Sequence, residues 1–237
     1  MRTRIKICGL TRESDLDAAV EAGVDAVGFV FYGASPRAVS MDRARILARR
    51  LPAWVASVGL FVNASKDEVL RTAETVGLSH LQLHGDETPS DCTGLGRPVI
   101  KAIRVRATTD AQSVDREAKR LRALMTDFSN CQAVLLDADS AGFGGSGRAF
   151  DWAVVEQAGL SGQLGSNSPQ LATAWVLSGG LESGSVGQAI HRLRPPCVDV
   201  SSGVERWEGD RLVKGEKDAH RIKAFVDAVH LADQTIT

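Results

Sequence analysis

The sequence predicts an α/β protein, a single (β/α)8 or TIM barrel domain over residues 1–237, on three observations. Short apolar, β-branched runs recur along the whole chain, the segments between them carry helical periodicity, and no linker divides the 237 residues. Eight such runs over this length favour closure into a barrel over an open doubly wound sheet.

Taken in order, the first strand is expected at 3–8 (TRIKIC), and the helix after it at 11–22, capped by Thr11 and ended at Gly23 by a left-handed residue. The second and third strands follow at 25–31 (DAVGFVF) and 54–61 (WVASVGLF), and a helix at 66–76 leads to the fourth strand at 79–84 (SHLQLH). The fifth strand, 98–103 (PVIKAI), precedes a helix at 110–126 and the sixth strand, 132–137 (QAVLLD). A stretch rich in Gly, Ser, Asn and Gln at 159–170 reads as a surface loop. The seventh strand at 174–178 (AWVLS), a helix at 183–193, the eighth strand at 197–201 (CVDVS) and a last helix at 217–232 complete the pattern.

Lysine plus arginine total 28 against 29 aspartates and glutamates, so no overall basic field is available to hold nucleic acid or an anionic membrane. Any anionic ligand must be met by local groups. The four cysteines form no CxxC and no Cys/His cluster, which argues against a disulfide framework and a zinc site and for a reducing, cytoplasmic setting. No signal peptide and no apolar run of membrane length is visible.

In a barrel of this kind reactive groups sit at the carboxyl ends of the strands and in the loops that follow. Here those ends are polar: Lys6-Ile7-Cys8-Gly9, Ser35-Pro36-Arg37, Gln82-Leu83-His84-Gly85, Asp137, Ser178-Gly179-Gly180 and Asp199-Val200-Ser201-Ser202-Gly203. Period-two alternation puts Lys6 and Cys8 on one face, about 7 Å apart from the per-residue rise, so Lys6 is expected to favour the thiolate. A cysteine alone is more often a small buried hydrophobe, which is the reading kept for Cys92, Cys131 and Cys197. A strand-end Asp137 could simply accept loop amide bonds. Glycine-rich loops after strands six, seven and eight suggest a phosphate cradle, formed by Gly145, Ser146, Gly179, Gly180, Ser201, Ser202 and Gly203, because glycine lets backbone N–H groups approach an anion. The planar fork of Arg37 suits a carboxylate. His84, taken by itself, reads as a structural histidine.

The motifs KICGLT at 6–11, GFVFYGASPRAV at 28–39, LQLHGDE at 81–87, LLD at 135–137, GGSGRAFDW at 144–152, LSGGL at 177–181 and DVSSGVE at 199–205 together resemble the phosphoribosylanthranilate isomerase family, in order and over nearly the whole chain. The resemblance implies an Amadori rearrangement of N-(5-phosphoribosyl)anthranilate to 1-(2-carboxyphenylamino)-1-deoxyribulose 5-phosphate in tryptophan biosynthesis, with no metal or cofactor. It implies Cys8 as general base, Asp137 as general acid, Arg37 facing the anthranilate carboxylate, a phosphate site in the glycine loops, and His84 and Asp199 lining the substrate pocket. The expected partner is a small phosphorylated substrate, and the chain is expected to be a monomer or homodimer. Two departures stand out: the longer connection at 159–170 and an extended loop at 206–216 after the eighth strand. The nearest rival, a histidine-pathway isomerase, uses paired aspartates, where this chain has Cys8. A phosphosugar-binding barrel without turnover is the rival from another class, and the presence of both Cys8 and Asp137 argues against it.

Overall fold

The computed structural model describes residues 2–139, 149–161 and 174–235. Among these, eight parallel strands close on themselves: β1 (Arg4–Cys8), β2 (Ala26–Val30), β3 (Ala56–Phe61), β4 (His80–Leu83), β5 (Val99–Val105), β6 (Ala133–Ala138), β7 (Ala174–Leu177) and β8 (Cys197–Val200). Each bonds its neighbours in sequence, and β8 returns to β1 with Lys6 opposite Asp199. The expected (β/α)8 barrel is therefore present, its strands within two residues of the expected bounds.

The helices are α1 (Glu13–Ala22), α2 (Met41–Ala48), α3 (Lys66–Val76), α4 (Ala111–Asp127), α5 (Ala153–Gln157), α6 (Ser183–Leu193) and α7 (Ala219–Thr235). Gly23 ends α1 at φ 87°, in the left-handed conformation that glycine adopts without a Cβ penalty. Thr11 does not cap that helix: Arg12 holds the cap position with no side-chain cap bond, and the Thr11 hydroxyl donates instead to the Gly215 carbonyl at 2.6 Å. β4 is followed by turns rather than by a helix before β5.

Alternation along each strand splits the apolar residues into two cores. Outward-facing Ile5, Ile7, Phe29, Leu81, Leu136 and Val198 pack beneath the helices with Leu16, Leu47, Val69, Leu121 and Phe225. The barrel interior holds small clusters, Ala102, Ala133, Leu135 and Val176 in one and Cys8, Val30, Leu60 and Val62 in the other. Such interior layers make the barrel a packed core, with its reactive groups confined to the rim.

The segment 206–216, expected as an extended loop, is an antiparallel hairpin of β9 (Glu205–Glu208) and β10 (Arg211–Lys217), preceded by a 3₁₀ turn at Ser202–Val204. Gly209 and Asp210 form its two-residue turn, with φ 57° at Gly209, a pairing suited to hairpins. The register shifts between Leu212 and Lys217, and Gly215 there has φ 88°. Lys217, expected to open the last helix, is the final residue of β10, and its backbone N–H donates to Asp15 at 2.9 Å.

Candidate functional site

A cleft opens at the carboxyl ends of the strands, with about 640 Å³ of empty space including its open mouth. Cys8, Arg37, His84, Asp137, Gly179, Gly180, Asp199, Ser201 and Ser202 all line it. Gly145 and Ser146 lie outside the described residues. Gly203 does not line the cleft; a Cβ there would overlap the Leu181 carbonyl, so glycine at this position permits the loops after β7 and β8 to touch.

On β1, Lys6 and Cys8 point into the barrel and are 3% and 5% exposed. Lys6 Nζ donates to Asp199 Oδ1 at 2.8 Å across the β1–β8 seam. Burial alone would pull the Lys6 ammonium down, but the charge of Asp199 and the Cys8 thiolate outweigh it and hold Lys6 above its ordinary value. Asp199 is itself pushed up by burial, which Lys6 only partly offsets. Lys6 sets the direction for the pair at this distance: an ammonium and a carboxylate in contact are stored as ions.

Lys6 pulls the Cys8 thiol down as expected, but the net shift is upward. Burial raises the thiol above its ordinary value; Lys6 and Lys217 pull the other way and lose, and Asp199 adds to the rise. Burial thus favours the Cys8 thiol. Its sulfur sits over Gly28, where a Cβ would come within 2.7 Å of Sγ.

Asp137 stands on β6, at the far side of the rim. Its Oδ1 accepts the Ala138 N–H at 2.9 Å, and Oδ2 lies 3.3 Å from His84 Nε2. His84 Nδ1 is 2.9 Å from Gln82 Nε2, and the ring is 4% exposed. Gly179, at φ 85°, brings its backbone so close that a Cβ would lie 2.9 Å from the Ala138 nitrogen and 3.2 Å from Asp137 Oδ1. Gly180 also has positive φ, 65°, so two consecutive residues present the backbone to the cleft in conformations that side chains disfavour. On the neighbouring strand the Ser201 hydroxyl donates to the Cys8 carbonyl at 3.0 Å.

Arg37 reaches the cleft from the loop after β2, passing over Gly9, where a Cβ would lie 2.6 Å from its Cδ. Its Nε and Nη2 donate to the two oxygens of Glu205 at 2.7 and 2.9 Å, and Arg37 is 6% exposed.

Sequence reasoning missed three residues of this site. Gln82 shares the inward face with His84, and period-two alternation was the signal for it. Glu205 and Lys217 are the first residue of β9 and the last of β10, and both side chains are fully buried. Their signal was the alternation of RWE and RLVKGEK around a Gly-Asp turn. Among the described residues no group of three or more His, Cys, Asp or Glu is arranged to hold a metal ion, and no helix is long and apolar enough to cross a membrane.

The family model described as "N-(5'phosphoribosyl)anthranilate (PRA) isomerase" matches residues 5–228. The chain is 48% identical over 236 residues to the N-(5'-phosphoribosyl)anthranilate isomerase of Methylibium petroleiphilum, covering 100% of this chain and 98% of that one. Its fold is similar to the phosphoribosyl anthranilate isomerase of Thermus thermophilus, with TM-score 0.78 and 29% identity over 97% of this chain and 99% of that one. It is also similar to such an isomerase in complex with reduced 1-(o-carboxyphenylamino)-1-deoxyribulose 5-phosphate, with TM-score 0.72 and 34% identity over 96% and 98% of the two chains.

Proposed function

This chain belongs to the N-(5'-phosphoribosyl)anthranilate isomerase family, and from that premise we propose that it rearranges phosphoribosylanthranilate to 1-(2-carboxyphenylamino)-1-deoxyribulose 5-phosphate with Cys8 as general base and Asp137 as general acid. The observation that carries the assignment of roles is the presentation of a buried thiol from β1 and a buried carboxyl from β6 to the same cleft.

In the proposed reaction the Asp137 carboxyl donates its proton to the furanose ring oxygen as the C1–O bond breaks. The lone pair of the anilino nitrogen forms the C1=N bond of a protonated Schiff base. Cys8, as thiolate, removes the proton from C2, and the electrons move into a C1–C2 enolamine while nitrogen becomes neutral. Tautomerisation of the enol to the ketone, with protonation at C1, completes an internal redox exchange in which C1 is reduced and C2 oxidised. Burial favours the Cys8 thiol, so its proton passes to solvent water before the thiolate acts. Lys6 and Lys217 supply positive charge near it, and the iminium formed at C1 adds more.

Arg37 is proposed to face the substrate carboxylate, and Gly179, Gly180, Ser201, Ser202 and Gly145-Ser146 the phosphate, with His84 and Asp199 beside the sugar. Gly203 lets that loop pack against the Leu181 carbonyl. The reading takes the chain as one barrel domain working in the cytoplasm, a reducing compartment that suits a free thiol at position 8. It is tested by mixing the purified protein with freshly made phosphoribosylanthranilate and following the loss of anthranilate fluorescence. Cys8→Ser and Asp137→Asn are each expected to lower turnover by orders of magnitude while a reduced product analogue still binds. Near-normal turnover in either variant refutes that residue's role.

A further inference from the structure

The hairpin β9–β10 delivers a buried charge cluster to the rim of the cleft. Glu205 and Lys217 have side chains that are 0% exposed, and Arg37 lies against them with its side chain 7% exposed. Glu205 Oε1 accepts from Arg37 Nε at 2.7 Å, from the Gly215 N–H at 2.8 Å and from Lys217 Nζ at 3.2 Å, while Oε2 accepts from Arg37 Nη2 at 2.9 Å. Lys217 Nζ also donates to the Ser201 carbonyl at 3.0 Å and to its hydroxyl at 3.2 Å. Every polar atom of the Glu205 carboxylate is thus used, and the side chain is fixed from three directions.

We infer that Glu205 is the positioning residue for recognition of the substrate's aromatic carboxylate: it grips one edge of the Arg37 guanidinium and aims the cation into the cleft, with Lys217 and Gly215 locking Glu205 in place. The inference rests on the reading of Arg37 as the carboxylate-binding residue. Arginine carries several rotatable bonds, and ordering them at the moment of binding would weaken affinity; a bidentate carboxylate partner removes that cost beforehand. Glu205 stays ionised for this purpose: burial would raise its carboxyl, but the Arg37 hydrogen bonds and the Lys217 charge bring it below its ordinary value.

Position and field make opposite forecasts. Removing the charge of Glu205 leaves two cations, Arg37 and Lys217, and their unopposed field favours an incoming carboxylate. A selective loss of carboxylate affinity on neutralising Glu205 can therefore come only from lost positioning.

The test measures dissociation constants for two probes, reduced 1-(o-carboxyphenylamino)-1-deoxyribulose 5-phosphate and its phenylamino counterpart lacking the carboxyl group. The ratio of the two within one preparation is independent of how much of a variant is folded. Glu205→Gln is expected to shrink the wild-type preference for the carboxylated probe about tenfold and to leave the affinity for the other nearly unchanged. Glu205→Gln combined with Lys217→Met deletes one negative and one positive charge, keeping the buried balance, and is expected to show the same selective loss. Equal weakening of both probes, or an unchanged or enlarged preference, overturns the inference. Arg37→Ala separates the two levels of the argument. If it leaves the preference intact, the carboxylate reading of Arg37 fails and the inference goes with it; if it abolishes the preference and Glu205→Gln does not, only the inference fails.

Discussion

Replacing Lys217 by methionine should change how stability depends on pH, and the size of the change follows from the site. Lys217 is wholly buried. Burial lowers its ammonium to about 8 from an ordinary value of 10.5, and the charge of Arg37 adds to the effect, while Glu205 and the Cys8 thiolate only partly restore it. Between about pH 8 and 10.5 the unfolded chain therefore binds more protons at this residue than the folded one, so the stability of the wild type rises with pH through that window. Below pH 8 the residue is charged in both states, and the folded protein bears the full penalty of keeping it so. A lowering of this size at 1.36 kcal/mol per pH unit is worth about 3 kcal/mol over the whole window, and about 2 kcal/mol of it falls between pH 7 and 10. Methionine keeps an unbranched stem of similar volume without the charge. Urea unfolding of wild type and Lys217→Met at several pH values between 7 and 10 cancels groups common to both. The wild type should gain on the variant by about 2 kcal/mol from neutral to alkaline pH. Parallel stability curves, or a wild type that loses ground as pH rises, would refute the argument that Lys217 is held charged against its burial.

Three further substitutions probe the rim. Gly28→Ala places a methyl 2.7 Å from Cys8 Sγ, so the thiol must move; kcat should fall tenfold or more with KM little changed, while Gly33→Ala, with nothing within 4 Å, serves as the neutral control. Gly179→Ala puts a side chain at φ 85° against the Ala138 nitrogen and Asp137 Oδ1. Strain of about 1–2 kcal/mol should lower the melting midpoint by several degrees in a thermal scan, and turnover should fall more steeply than stability. Lys6→Met strands the buried Asp199 without its 2.8 Å partner, which costs about 3–5 kcal/mol in a chemical unfolding experiment. Because Lys6 lowers the Cys8 thiol, its loss should also move the acidic limb of the pH–kcat/KM profile to higher pH.

What the sequence makes legible in this chain is what neighbouring residues encode together. Eight apolar runs gave the strands, and α3 and α6 coincide with the expected 66–76 and 183–193, because apolar spacing, first-turn capping groups and, for α3, a terminal Gly77 all agree there. Alternation put Lys6 and Cys8 on one face correctly. It did not tell what Lys6 does, because the partner that claims its ammonium, Asp199, lies 193 positions away and joins it only when β8 closes against β1. Cys8 shows the same limit: the pull of a cation two residues distant is visible in the chain, whereas the burial that outweighs it is a property of the closed barrel.

The β9–β10 hairpin extends that reasoning to specificity. Read along the chain, residues 206–216 are an insertion of mixed charge, whose alternation around a Gly-Asp turn signals a hairpin but not which of its charges are buried. Arg37 and Glu205 stand 168 positions apart, and their contact needs β2 and β8 to have docked to opposite sides of β1. Thr11, Arg12 and Asp15, all in or after the loop from β1, then bind Gly215, Glu216 and Lys217 and tie the hairpin's end to the first βα unit. The same backbone that carries Cys8 outward from β1 thus anchors the strand that holds Glu205. A displacement of the hairpin should accordingly disturb the carboxylate end and the thiol end of the cleft together, whereas Asp137 and Gly179, supported by β6 and β7, stand outside that linkage.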